Sequence, residues 1–203
     1  MDAEYKTQTG WLCLDVANTV NWHASDHPDD KLNSYADLVD WAEKVNILTP
    51  AGAKKLKARG EQMPKEAAAT LDRAIQIREA IYRILVARVH GQPVPEADLI
   101  TLNKAVANLH ARSRLVPKNG GFAWEMEAGE EELDSLFWPV IRSAVELLTT
   151  DALERVGQCA DADGCGWMFW DTSRNRSRRW CDMGDCGNRA KVRRYYSRNK
   201  KQS

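Results

Sequence analysis

The chain has 203 residues, and its 29 basic and 29 acidic side chains give a formal charge of zero. At roughly 100–200 residues per domain, this length fits one large domain, or a medium domain with a small one. A hydrophobic share of 43% excludes wholesale disorder. No apolar run approaches the ~20 residues needed to cross a bilayer, and the N-terminus lacks the features of a secretory signal. We therefore expect a cytoplasmic protein with reduced cysteines.

The zero net charge hides two oppositely charged parts. Residues 1–158 hold 18 basic against 24 acidic side chains, whereas residues 159–203 hold 11 against 5 and contain four of the five cysteines. A short basic stretch of this kind buries too little apolar surface to fold without a cross-link or a metal. We predict one domain over residues 1–150 and another over 151–203, with nucleic acid as the partner of the second.

The first part of the chain reads as mainly helical. Residues 11–22 are apolar enough for a buried strand or a short helix, and periodicity does not separate the two. A polar loop follows over residues 23–33. Ser34 is a suitable N-cap for a helix, and a second helix begins at Pro50 and ends before Gly60.

The longest pattern runs from Pro64 to Val89, where apolar residues recur every three or four positions and predict one amphipathic helix. Another helix begins at Pro95. Its predicted inward residues are Leu99, Leu102, Val106 and Leu109. A further helix is predicted over residues 133–153.

Residues 113–125 carry a different signal. Two apolar stretches flank Lys118-Asn119-Gly120-Gly121, which is typical of a β-hairpin. The predicted fold class is therefore mainly α with a small β element, followed by a small C-terminal module.

Four polar residues stand in otherwise apolar surroundings and are the candidates for ligand binding: Asp15, Asn18, Thr19 and Arg78. Buried polar groups must be hydrogen-bonded, so these side chains could also satisfy one another or the backbone. We favour that structural interpretation over a ligand. The sequence shows no known catalytic motif, and we expect no enzyme activity, although a pocket around these four residues would be the place for one.

The strongest motif is Cys159-x5-Cys165 followed, after fifteen residues, by Cys181-x4-Cys186. Four thiolates in two pairs can surround one Zn²⁺ tetrahedrally and leave no position for a substrate. Disulfides would need an oxidising compartment, and an iron–sulfur cluster is a further alternative. We favour one structural zinc ion.

The segment between the two cysteine pairs suggests a hairpin. Residues 166–170 form the predicted outgoing strand, residues 171–178 the turn, and residues 179–181 the return. A helix then begins at Cys186 and runs through Arg198. This order is that of a treble-clef or zinc-ribbon-like finger. We expect Cys181→Ser to unfold the finger and leave the remainder helical.

The run from Ser177 to Tyr195, which includes Cys186-Gly-Asn-Arg189, resembles the CGNR zinc-finger family. Residues 12–19 resemble the opening of the ABATE domain that commonly precedes that finger. The resemblance implies a stress-responsive bacterial transcription regulator, with a finger that binds DNA and an N-terminal domain that senses a small ligand. The five residues between Cys159 and Cys165 depart from the usual spacing of two to four residues between the first two cysteines of such a finger.

A cluster of polar and basic side chains around the finger supplies the DNA-binding candidates. They are Arg174, Arg176, Arg178, Arg179, Asn188, Arg189, Lys191, Arg193, Arg194 and Arg198, with Lys200 and Lys201 beyond them. Arginine pairs bidentately with guanine in the major groove, and we select Asn188 and Arg189 for base contacts.

The alternatives for the finger are RNA or a protein partner. Trp167, Phe169, Trp170 and Trp180 read as a small core around the metal, and their exposure would instead favour single-stranded nucleic acid. A homodimer would suit a palindromic site, although no heptad pattern requires one.

Overall fold

The computed structural model describes residues 5–127, 132–161 and 163–199. Within them, the α-helices are α1 (Leu12–Ala17), α2 (Tyr35–Lys44), α3 (Pro50–Gln62), α4 (Pro64–Val89), α5 (Glu96–Ala111), α6 (Trp138–Thr149) and α7 (Cys186–Asn199). The strands are β1 (Val20–Asn21), β2 (Asp29–Asp30), β3 (Ser113–Lys118), β4 (Gly121–Met126), β5 (Val156–Gln158) and β6 (Met168–Trp170), which form three separate antiparallel pairs in chain order. The predicted fold class is confirmed.

Helix α4 is the centre of the fold. It contacts α1, α2, α3, α5 and strand β5. Its inward face includes Ile81 and Leu85, which are buried as the period predicted. Helix α2 begins at Ser34 as expected, because the Ser34 hydroxyl accepts from the Asp37 N–H and the Asp37 carboxylate accepts from the Ser34 N–H. Among the described helices, none is long and apolar enough to span a bilayer.

The apolar stretch over residues 11–22 contains both of the elements left open by the sequence. Helix α1 covers six residues, and strand β1 follows after two more. Every residue of α1 is buried. A helix enclosed on all sides shows no apolar face to alternate with a polar one, which is why its period could not be read.

Helix α3 does not stop before Gly60, as predicted, but continues to Gln62. A Cβ at Gly60 would lie 2.7 Å from Cδ1 of Tyr35. The glycine therefore allows the Tyr35 ring to pack against the helix and does not mark its end.

Helix α5 differs from the prediction at its first turn. Leu102 and Leu109 are buried, but Leu99 is exposed. The inward place at this turn is taken by Asp98, whose carboxylate is bound by Arg83 with an Nη2–Oδ1 distance of 2.7 Å. An ion pair thus replaces the expected apolar contact.

The helix predicted over residues 133–153 is shorter. Helix α6 begins at Trp138, next to Pro139, and ends at Thr149. Thr150 adopts an extended backbone and is followed by a 3₁₀ turn. The prediction was too long because apolar residues in the short turns before and after α6 continue the helical spacing in the sequence.

Strands β3 and β4 form the predicted hairpin. Asn119 and Gly120 both have positive φ, 51° and 77°, which is the conformation that a two-residue type I′ turn requires. The face that carries Leu115, Phe122 and Trp124 is exposed.

Residues 156–161 and 163–199, here called the C-terminal segment, pack directly on the helical body, residues 5–127 and 132–155. Met168 of β6 is fully buried in the same core as Leu14 of α1 and Leu85 of α4. The side chain of Asn18 donates to the Met168 carbonyl at 2.9 Å and accepts from the Met168 N–H at 2.8 Å. The two parts share one core, and the boundary near residue 150 stays a prediction.

Candidate metal centre and nucleic-acid interface

The four cysteines of the C-terminal segment meet at one point. Cys159 follows strand β5, Cys165 precedes β6, Cys181 lies in the loop before α7, and Cys186 is the first residue of α7. Their sulfur atoms all lie within 4.8 Å of one another. The helix, the loop and the β5–β6 turn thus bring together the four residues that the spacing had singled out.

The donor set fits a tetrahedral cation. The Sγ–Sγ distances are 3.6 Å for Cys165–Cys181 and for Cys181–Cys186. Zn–S bonds of about 2.3 Å place tetrahedral sulfurs about 3.8 Å apart. A disulfide would need about 2.0 Å, and all four cysteines are free.

The electrostatics of the cluster are compatible with a bound cation. Hydrogen bonds from the Cys165 and Cys181 thiols lower the pKa of Cys159. Donation to Cys159 and Cys165 raises the pKa of Cys181. Four thiolates this close would repel one another, and a cation at their centre would offset that repulsion.

The hairpin predicted between the cysteine pairs is wrong in its pairing. Strand β6 pairs with β5, which precedes the first cysteine, in the register Val156↔Trp170 and Gln158↔Met168. Residues 179–181 form no strand. The Ala160 N–H donates to the Arg179 carbonyl at 2.9 Å, which ties this loop to the β5–β6 turn.

The loop of residues 22–25, between β1 and β2, lies directly on the β5–β6 turn. The His23 N–H donates to the Cys165 carbonyl, and the Ala24 N–H to the Gly164 carbonyl, both at 3.1 Å. Gly166 has a φ of 68°, and a Cβ there would lie 2.7 Å from the Ala24 nitrogen. The close approach of the helical body to the cysteines therefore depends on glycine.

The aromatic residues near the cysteines are packed against the protein and are not exposed for stacking on bases. Phe169 is buried, and Trp167 and Trp180 pack against the cysteine cluster. The Trp167 Nε1–H donates to the Val20 carbonyl and the Trp170 Nε1–H to the Ala152 carbonyl. Trp167 and Trp180 form apolar surroundings of the site, as the sequence suggested, whereas Trp170 packs against the core of the helical body.

The predicted DNA-binding cations fall into two sets, and the first is held by contacts within the chain. Arg176 pairs with Glu154 at 2.8 Å. The Arg178 guanidinium lies 4.7 Å from the centre of the Phe169 ring and donates to the Trp180 carbonyl. Arg193 pairs with Asp161 and Asp163.

Arg189 is the most engaged member of this first set. Its guanidinium binds Asp161 with an Nη2–Oδ2 distance of 2.8 Å, Asp185 with an Nη1–Oδ1 distance of 2.7 Å, and the sulfur of Cys186 at 2.9 Å. It also lies 4.7 Å from the centre of the Trp22 ring. A base contact by Arg189 stays a prediction, but the structure commits most of its donors elsewhere.

The second set has neither an ion pair nor a side-chain hydrogen bond within the described part of the chain, although the Arg179 guanidinium lies 5.4 Å from the centre of the Trp180 ring. Its members are Arg174, Arg179, Lys191, Arg194 and Arg198. The last three lie on the outer side of α7 and are exposed, as is Asn188 near its start. Lys200 and Lys201 lie outside the described residues.

The four ligand candidates of the helical body do not converge on one site. The Asp15 carboxylate accepts from the N–H groups of Gln8 and Thr9 and from the Thr9 hydroxyl. Burial raises the pKa of Asp15 against these hydrogen bonds. Asn18 faces Met168, as described above.

Thr19 and Arg78 do meet, at 3.2 Å. Arg78 is 2% exposed and binds both oxygens of Asp30, at 2.8 and 2.6 Å, and Oε1 of Glu79. Glu79 also contacts His23 Nε2 at 3.1 Å. These partners account for both candidates, and binding of a ligand there stays a prediction.

Sequence reasoning missed the acidic partners of the site. Asp161 has no exposed side-chain surface and pairs with two arginines of α7. Burial opposes ionisation of Asp161, but hydrogen bonds from Arg193 and Arg189 outweigh it and lower the pKa. A carboxylate two residues after a cysteine, in a basic segment, was the available signal.

Comparison with known proteins agrees with this architecture. Residues 10–151 match the ABATE family, described as "Putative stress-induced transcription regulator", and residues 155–199 match the CGNR zinc finger. No curated protein matches the chain. Since the first match spans more than half of the sequence, the resemblance is confirmed: the chain belongs to the ABATE family and ends in a CGNR zinc finger.

Proposed function

We propose that this protein is a stress-responsive transcription regulator that acts in the cytoplasm and binds duplex DNA through α7. Its four cysteines hold one structural Zn²⁺, because an all-thiolate set of four suits zinc and leaves no open position. The observation that carries the DNA contact is the row of Lys191, Arg194 and Arg198 on the outer side of α7, which has no ion-pair partner among the described residues.

The two sides of α7 divide its cations by role. Arg189 and Arg193 face the β5–β6 turn and are neutralised by Asp161 and Asp163. On the opposite side, no acid of the described part of the chain pairs with a cation of α7, so that side could meet phosphates, while Asn188 lies where a base edge could be contacted. The proposal is therefore one of binding, without enzyme activity.

The test is fluorescence anisotropy of the zinc-loaded protein on random duplex DNA across a salt series. We expect binding that weakens steeply with salt and disappears after chelation. The triple variant Lys191→Ala, Arg194→Ala, Arg198→Ala should reduce the slope of log affinity against log salt by about 0.9 for each phosphate that is no longer neutralised.

A matched control removes three exposed cations from the helical body: Lys54, Lys55 and Lys65, each changed to Ala. Net charge falls equally, so only the location differs. An equal loss of slope in both variants, or no binding at low salt, would contradict the proposal. Metal analysis of the purified protein should give one zinc per chain, and iron with sulfide would contradict that assignment.

A second candidate partner is single-stranded nucleic acid, because Tyr195 and Tyr196 are exposed at 63% and 67%. Exposed aromatic rings can stack on unpaired bases. Their rings are nearly perpendicular, at 76°, which offers no parallel platform and favours the duplex. Competition between duplex DNA and single-stranded RNA separates the candidates. A small-molecule effector and a homodimer stay predictions.

A further inference from the structure

The side chain of Arg189 connects three parts of the molecule that the sequence does not bring together. It donates to a cysteine of the metal cluster, to an acid of the β5–β6 turn, and lies on an aromatic ring of the helical body. We propose that Arg189 is a positioning residue of the metal centre, which holds the Cys186 sulfur in place, and that it does not read DNA bases. The inference rests on the metal occupancy proposed above.

Most N–H groups of the Arg189 guanidinium already have acceptors, which leaves few donors for a DNA base. Nε and Nη2 both donate to Oδ2 of Asp161, Nη1 donates to Asp185, and Nη2 also donates to the Cys186 sulfur. Arginine has five N–H groups, and these contacts use most of them. A bidentate contact with guanine would require breaking at least one of these contacts, because they use four of the five N–H groups.

The charge of the cluster explains why a cation is placed here. Four thiolates around a divalent ion leave two negative charges uncompensated. An N–H group directed at a ligand sulfur offsets part of that charge and fixes the orientation of the ligand, as outer-shell partners of metal sites do. The Arg189–Cys186 contact of 2.9 Å has this geometry.

The helical body supports the guanidinium from its other side. Trp22 has a φ of 55°, a conformation that is costly for a bulky residue. The next two residues donate their N–H groups to Cys165 and Gly164, which holds the loop in this conformation and the Trp22 ring under Arg189. The body thus contributes a residue to the surroundings of the metal centre.

The experiment compares Arg189→Ala and Arg189→Lys with Arg194→Ala, which removes a cation five residues later on α7 that no described acid pairs with. Zn²⁺ affinity of the full chain is measured by competition with a chromophoric chelator. We expect Arg189→Ala to weaken it about ten- to a hundredfold, Arg189→Lys to weaken it less because the charge on Asp161 stays paired, and Arg194→Ala to leave it unchanged.

Two further measurements separate positioning from a general loss of fold. The thiolate-to-cobalt charge-transfer band of the Co²⁺-loaded protein should shift in Arg189→Ala and stay unchanged in Arg194→Ala. At saturating zinc, the salt slope of DNA binding should fall by about 0.9 in Arg194→Ala and stay constant in Arg189→Lys, the variant that keeps the charge and the fold.

The outcomes that would overturn the inference are distinct. Wild-type zinc affinity and an unshifted cobalt band in both Arg189 variants would refute the positioning role while leaving the proposed function intact. Weaker DNA binding at saturating zinc with unchanged metal affinity in Arg189→Lys would return Arg189 to the DNA interface. If the wild-type chain bound neither Zn²⁺ nor Co²⁺, both proposals would fail together.

Discussion

Two antiparallel hairpins in this chain are stabilised in different ways. The β3–β4 hairpin has six residues in each strand and closes on its own Asn119–Gly120 turn, yet Phe122 on its outer face is 77% exposed. The β5–β6 hairpin has only three residues in each strand. Its Met168 is fully buried, and cysteines of the metal cluster stand at both ends of its turn.

The difference shows where the stability of a short hairpin comes from. A two-stranded hairpin is marginal alone in water, so β5–β6 depends on the cysteine cluster and on the helical body. The β3–β4 hairpin depends on local turn geometry and contributes little to the core. Changes to the first should therefore affect the whole molecule, and changes to the second should stay local.

The largest effect is expected from loss of the metal. Cys181→Ser, or chelation of the wild type, removes a binding free energy on the order of 10 kcal/mol. From the sequence alone, the remainder of the chain is expected to stay helical. Because β6 lies in the core of the body, we now expect the helices to unfold at a lower urea concentration as well. Circular dichroism during urea unfolding, with metal content measured in parallel, checks this.

Cys13→Ala provides the control for removing a cysteine. Cys13 is buried in α1, far from the cluster in sequence, and this variant should keep a full complement of metal. An unchanged urea midpoint in Cys181→Ser would show that the two parts of the chain are stabilised independently. Full metal content in that variant would show that Cys181 is not a ligand.

The next largest effect is expected for Gly166→Ala, in the turn between β5 and β6. Alanine at a φ of 68° is strained by about 1–2 kcal/mol, and its Cβ would lie 2.7 Å from the Ala24 nitrogen, which adds an overpacking cost of about 1–3 kcal/mol. We expect a total loss of about 3 kcal/mol and weaker metal binding. Urea unfolding and chelator competition measure both, and a loss below 1 kcal/mol would contradict the tight contact.

Arg78→Met tests how the loop of residues 22–25, which contacts the β5–β6 turn, is held in place. Arg78 binds Asp30 of β2, the strand that follows this loop. The variant leaves Asp30 without its main partner and removes one of the partners of Glu79. We expect a loss of about 3 kcal/mol, at the low end for a broken buried pair, since the Asp30 side chain keeps 33% of its surface exposed. Urea unfolding at pH 7 provides the measurement.

The stability lost in Arg78→Met should also depend on pH. Burial opposes ionisation of the Asp30 and Glu79 carboxyl groups. At Asp30, hydrogen bonds from Arg78 and from the Leu32 N–H outweigh it and lower the pKa. At Glu79, the hydrogen bond with His23 and the nearby charge of Arg78 lower the pKa in the same way. A lowered pKa stabilises the fold above the unfolded value of about 4 and loses that contribution as pH falls. The difference in stability between wild type and Arg78→Met should therefore shrink below about pH 4. A constant difference would show that the ion pair is not its source.

The elements that the sequence predicted well are those specified locally. The Ser34 cap, the period of α4 and the Asn119–Gly120 turn each lie within a few residues of the structure they determine. The four cysteines were found because chelation requires a fixed set of residue types. Nothing comparable marks β5, whose Val-Gly-Gln sequence has no alternation, so its pairing with β6 could not be inferred.

The roles of the arginines also depend on tertiary contacts. Arg189 and Arg194 were both assigned to DNA from the sequence, and Arg189 was even selected for a base contact. Only the fold shows that Asp161 reaches the first and that no acid of the described residues reaches the second. For the same reason, Asn18 and Arg78 could be recognised as buried polar groups while their partners stayed unknown.

The smallest effect is expected for Gly120→Ala, the counterpart of Gly166→Ala in the other hairpin. The backbone is similarly strained, with a φ of 77°, but no atom lies within 4 Å of the added Cβ. The loss should therefore be limited to the strain, about 1 kcal/mol, and metal affinity should not change. Because both substitutions add the same methyl group at positive φ, the difference between their urea midpoints measures what the contact with the body contributes. Equal losses in the two variants would mean that the docked hairpin gains nothing from residues 22–25, and that turn geometry alone sets the stability of both.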